Sequence, residues 1–221
     1  MLKFTSILAL ATTATALAQG ITQANFTGTG TIHVWNSSDW RDSTPADKVG
    51  CLDASGKFIN PLNDSACAVF TRISAYPYTL SAEGGNCTFS DESQEKNTDS
   101  IYGKSDHAWN CFKPFTAGIY DELYTIDGFS HVFLCQGDVD CYFDAKSIPS
   151  PKSSSNIWPF RWGSQQMGIT PGHVMLQLVW NKIADLPKGE DSEKIPSPRV
   201  SLMKGGGEQE QARLVGKKIL G

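Results

Sequence analysis

The sequence contains no Cys-x-x-Cys pair and no cysteine–histidine cluster with zinc-finger spacing, so a structural zinc site is not expected. It also lacks the Gly-x-Ser-x-Gly elbow of α/β serine hydrolases and the His-Glu-x-x-His helix of zinc proteases. No internal repeat is evident, which argues against a solenoid or propeller. After the first eighteen residues no apolar run approaches the ~20 residues a membrane helix needs. An excess of positive charge is missing too. Beyond residue 18 the chain carries 18 basic and 23 acidic residues, a balance of −5. That balance argues against general affinity for phosphate backbones or anionic membranes, so neither nucleic acid nor membrane is an expected partner. No cofactor motif is present, and neither a cofactor nor a metal is expected.

What the chain does have begins with its leader. Lys3 precedes Phe4–Leu17, an uncharged apolar stretch broken by five threonines and serines, and Ala16-Leu17-Ala18 fits a cleavage site. Residues 1–18 therefore read as a secretory signal peptide, and the mature chain is expected to begin at Gln19. That start disfavours a copper site built on an amino-terminal histidine. All six cysteines (Cys51, Cys67, Cys87, Cys111, Cys135 and Cys141) follow the leader, and an even count in an exported chain suggests three disulfides. Six cysteines permit fifteen pairings. Sequential pairing is the expectation, because each neighbouring pair would close one loop or hairpin. Four Asn-x-Ser/Thr sequons, at Asn25, Asn36, Asn63 and Asn86, mark possible glycosylation sites for a eukaryotic secretory pathway. The sequon at Asn86 contains Cys87.

Strand-like segments outnumber helical ones. Thr29–Trp35 alternates apolar and polar residues, as a half-buried strand does. Ala66–Ile73, Gly118–Ile126 and Tyr76–Ser81 read similarly, the last confined to an edge by Pro77. Gly128–Cys135 and Val139–Phe143 suggest a hairpin across Gly137. His173–Trp180 is apolar on both faces, like a central buried strand. One short helix is expected over Pro45–Val49, with Thr44 as its N-cap and Gly50 as its stop. Pro/Ser/Lys-rich Ser147–Ser155 reads as a surface loop. The expected architecture is a disulfide-stabilised antiparallel β-sandwich or barrel over residues 19–183. Residues 184–221, with scattered prolines, Gly205–Gly207 and dense mixed charge, read as a flexible tail.

Leader, cysteines, sequons and modest size together resemble small secreted proteins of filamentous fungi, including effector-like ones. The resemblance covers the general layout and rests on no diagnostic motif. It implies an extracellular role, often in contact with a host or with cell-wall material, and often without catalysis.

Candidate chemistry is sparse. The four histidines are His33, His107, His131 and His173. Of these, His107 and His131 form the leading acid–base pair, alone or with Asp121 or Glu122, for phosphodiester or glycoside cleavage. Asp121 and Glu122 are adjacent on an expected strand and face opposite ways, so they do not make a glycosidase pair together. Asp138, Asp140 and Asp144 lack EF-hand spacing and read as a solvated acidic hairpin. Among the six tryptophans, Trp109 and Trp180 read as core. Trp40, in a polar stretch, and Trp158 and Trp162, beside a Ser-rich loop, read as a binding surface. Two functions follow. The favoured one is a non-catalytic extracellular protein binding cell-wall polysaccharide or a host or other extracellular protein. The alternative is a small secreted nuclease or glycosidase using His107 and His131 or a carboxylate.

Overall fold

Alternation along Thr29–Trp35 builds the first strand, β1: Ile32 and Val34 point into the main core, while Thr31 and His33 point to the other face. The computed structural model describes residues 23, 25–73, 79–113, 121–136 and 141–186. In it β1 is the hub of a large, curled antiparallel sheet. One edge of β1 is shared. Its second half pairs with β2 (Lys48–Leu52) and its first two residues pair with β4 (Phe70–Arg72). The other edge runs beside β13 (Val174–Ala184) from end to end. On the β2 side the sheet continues through β3 (Phe58–Ile59) to β11 (Ser154–Ser155). On the β4 side it continues through β5 (Leu80–Ala82) and β6 (Gly85–Thr88) to β7 (Asn110–Phe112). The expected mainly β architecture is present.

β13 is central, as its apolar composition indicated. Its free edge is divided between two segments. β10 (Phe143–Ala145) takes Val174–Leu176 and itself pairs with β12 (Trp158–Pro159). Residues 132–134 lie beside Leu178–Trp180, with Leu134 N–H donating to Leu178 and Trp180 N–H to Val132. This arrangement corrects the expected hairpin across Gly137. Cys135–Gln136 forms β9, which pairs with β8 (Leu123–Tyr124), while the chain after Cys141 leaves to join β13. Both flanks of Gly137 are apolar enough to seek the edge of a buried strand, and β13 offers two separate stretches of it.

The short helix is cut to a 3-10 turn, Pro45–Asp47, with Thr44 and Asp47 forming a capping box and Pro45 in the first position. Lys48 already belongs to β2, whose pairing with β1 ends the turn. Segment 66–73 contributes only Phe70–Arg72 as strand, because a 3-10 turn, Asp64–Ala66, precedes it. The expected strands at 76–81 and 118–126 survive as β5 and β8, with residues 74–78 and 114–120 outside the described residues. The leader and residues 187–221 of the tail are outside them as well.

The disulfides pair sequentially: Cys51–Cys67, Cys87–Cys111 and Cys135–Cys141. Cys87 and Cys111 sit directly opposite each other on β6 and β7. Two apolar clusters use the two faces of the β1/β13 ribbon. The main core holds Ile32, Val34, Leu176, Leu178 and Trp180 beside Phe58, Phe143 and Trp109. A smaller one on the opposite face packs Trp35, Phe133 and Val179 under Trp40 and Phe129. At Gly30 a side chain would meet the Trp180 indole at 2.8 Å, so the glycine lets that ring lie across β1.

Candidate functional site

The loop closed by the Lys96–His107 bridge carries Ile101 and Tyr102, and the turn after β12 carries Trp162 and Met167. Their exposures are 47%, 42%, 64% and 76%. Among the described residues three other large apolar side chains, Leu62, Val69 and Ile183, are exposed, so four of the seven sit on these two segments. The two segments are locked to one another. Tyr102 lies close enough to Gly163 that a side chain there would meet its ring at 2.6 Å. Its hydroxyl sits 3.2 Å from Ser164 Oγ and accepts from the Gln165 N–H at 3.0 Å. Those two hydrogen bonds, Ser164 first, hold the phenol below its ordinary pKa. Arg161 Nε donates to Asp106 at 3.0 Å, tying the bases of the two segments together.

Buried polar groups complete the lock. Gln166 Oε1 accepts from the Ile101 N–H at 2.7 Å and from Ser100 Oγ at 3.3 Å, and its Nε2 donates to Thr170 Oγ1 at 3.1 Å. Thr170 Oγ1 in turn donates at 2.6 Å to Asp144, a fully buried carboxylate on β10. A buried polar group requires such partners. Asp144 gains two more, Asn97 Nδ2 at 3.1 Å and His173 Nδ1. The opposite ring nitrogen, Nε2, faces Asp99 at 3.4 Å, and the imidazole packs beside Trp158. Asp144 therefore orients His173, as an acid–base histidine requires. Yet the His173 side chain is only 5% exposed, and its second nitrogen is turned to a carboxylate of the loop. In this geometry the pair fastens the loop to the sheet.

The structure distributes the sequence candidates widely. Trp162 is the tryptophan that faces solvent. Trp158 corrects the expectation of an exposed ring: it is 1% exposed, paired on β12, and donates its indole N–H to the Glu95 carbonyl at 2.9 Å. Trp40 is half-buried, stacked on Phe129 at 3.9 Å, with Arg41 over its ring at 5.9 Å. His107 sits half-buried with Nδ1 3.1 Å from the Gln94 carbonyl. His131 belongs to the smaller apolar cluster, edge-on to Trp35 at 4.8 Å. These are different neighbourhoods, and no contact joins the two histidines. Asp121 is bonded to Thr88 and Glu122 is paired with Arg72 at 3.9 Å, burial raising the Glu122 carboxyl above its ordinary range. Asp144 also corrects the reading of a solvated acidic hairpin, since β10 carries it inward; Asp138 and Asp140 lie outside the described residues. Among the described residues no group of three histidine, cysteine or acidic side chains is placed to hold a metal ion.

Comparison with known proteins finds no matching family model, curated protein or solved structure.

The sequence reading missed Tyr102, Ile101, Met167 and the buried lock beneath them. One local signal was present. Gly103 and the pair Gly163 and Gly168 each flank apolar side chains in otherwise polar stretches, which is how a turn presents a large residue to solvent.

Proposed function

We propose that this protein is a secreted, non-catalytic binding protein that holds a neutral polysaccharide on the face formed by residues 99–106 and 161–168. The observation that carries this reading is the gathering of Ile101, Tyr102, Trp162 and Met167 on two loops that are fastened to each other. Aromatic rings flanked by polar groups offer sugar rings an apolar surface with hydrogen-bonding partners beside it. Here Ser164, Gln165 and Asp99 provide the polar groups. A fastened face loses little conformational freedom on binding, so more of the contact energy reaches affinity. The acidic balance of the chain disfavours polyanionic ligands. The leader and three disulfides support an extracellular setting.

The test is depletion of the purified protein from solution by insoluble chitin, β-glucan, cellulose and xylan. Saturable depletion on one polymer is expected, weakened at least tenfold by Trp162→Ala and by Tyr102→Ala. Absence of depletion on all four would overturn the polysaccharide reading and turn attention to a protein partner for the same face.

A further inference from the structure

The four sequons meet very different surroundings once the chain is folded. Asn25 is exposed in the turn leading to β1, anchored by the buried ring of Phe26 that follows it. Asn36 is exposed immediately after β1, its backbone N–H held by the Asp47 carbonyl at 2.9 Å. Asn63 is exposed and caps the turn Asp64–Ala66 through its side-chain oxygen, which accepts the Ser65 N–H at 3.1 Å. That cap uses Oδ1 alone, so Nδ2 can be substituted without losing it. The third residues of these sequons, Thr27, Ser38 and Ser65, are exposed as well.

Asn86 differs in each respect. It lies within β6, paired to Ser81 on one side and Phe112 on the other, and is half-buried. Its middle residue, Cys87, is fully buried and bridged to Cys111 on the facing strand. Its hydroxyl residue, Thr88, is also fully buried; Oγ1 is bonded to Asp121 and accepts the Ser90 N–H at 2.6 Å. A glycan attached to the nascent chain at Asn86 would have to be accommodated inside a three-strand ladder whose centre is a disulfide. The β5–β6 connection is a short local turn, which closes early in folding.

We infer that Asn25, Asn36 and Asn63 are N-glycosylation sites and that Asn86 is left bare. The inference rests on the reading of the chain as secreted, in a eukaryotic host. The transfer consumes a lipid-pyrophosphate-linked oligosaccharide as co-reactant. The asparagine Nδ2 forms a bond to the sugar C1, the bond from C1 to the pyrophosphate oxygen breaks, and the lipid pyrophosphate leaves with that electron pair. One amide proton is released. All three sites belong to the segment between the leader and β4, and no sequon falls within residues 99–106 or 161–168.

Residues 19–221 would be expressed in yeast behind a heterologous secretory leader, with the chain's own leader run in parallel. Treatment of the secreted protein with peptide-N-glycosidase in heavy-oxygen water converts each occupied asparagine to a labelled aspartate. Labels at 25, 36 and 63 and none at 86 are expected. In gels, Asn→Gln at each of the three should remove one mobility step, and Asn86→Gln none. A label at 86, or an unlabelled asparagine at any of the other three positions, overturns the inference. Failure of the native leader while the heterologous one succeeds overturns the secretion reading alone.

Discussion

Trp158 and Trp162 stand four residues apart and serve opposite ends. Trp158 is sealed between Glu95 and His173, and its removal opens a large cavity. Trp158→Ala should cost about 3–5 kcal/mol in chemical denaturation. Trp162→Ala should stay within roughly 0.5 kcal/mol of the parent, since most of its surface faces solvent. A stability loss at Trp162 as large as at Trp158 would place its ring in the core and remove it from the contact face. His33 supplies a pH signature. Burial, then the nearby Lys48, lowers its pKa, with Asp64 partly opposing them. Folding therefore favours the neutral ring, and the unfolded chain takes up the proton first as pH falls. The stability this provides is full above the ordinary value of 6.5 and drains away as pH falls through the lowered one. His33→Gln should flatten the fall in melting temperature between about pH 7 and 5. An unchanged slope would assign that fall to other groups.

At the level of elements, the loop pair depends on Gln166. Replacing it with leucine leaves the Ile101 N–H without its acceptor, at a cost of roughly 1–3 kcal/mol. Amide exchange across residues 99–106 should quicken, with β1 and β13 unaffected. Exchange that speeds everywhere alike would show that the loops are not a separate unit. This dependence also explains what sequence could and could not disclose. β1 was legible because its residues alternate up to Val34, and β13 because a long apolar run must be covered on both faces. Sequential disulfides were legible because their separations, 16, 24 and 6, are local. Two-residue strands such as β3, β8 and β12 carry no period to detect. Gln166 reaches Ile101 across 65 residues, and Asp144 meets His173 across 29. Nothing in the neighbours of any of these residues announces the contact. Trp158 and Trp162 both follow the same Ser-rich loop, and the pairing of β12 with β10 is what separates the buried ring from the exposed one.

For the whole molecule, the disulfides fasten regions that the sheet already joins, so their effect is mainly on the unfolded chain. Replacing Cys87 and Cys111 together by alanine should lower stability by roughly 2–4 kcal/mol and leave the polymer binding proposed for residues 99–106 and 161–168 unchanged. Loss of binding in a folded variant would tie that face to the β6–β7 ladder. The pairing of β1 with β13 has a temporal consequence as well. The first strand to emerge from synthesis finds its longest partner only in the last one, with Thr29 meeting Ala184. Until then the apolar side chains of β1 have half a sheet to lie on, and local hairpins and bridges must hold the remainder. Closing so distant a contact is slow. A chain stopped before Val174 should therefore stay unfinished however long it waits, prone to association through the bare edge of β1. Ribosomes stalled on either side of β13 would carry nascent chains that differ in protease resistance by the whole fold rather than by one strand.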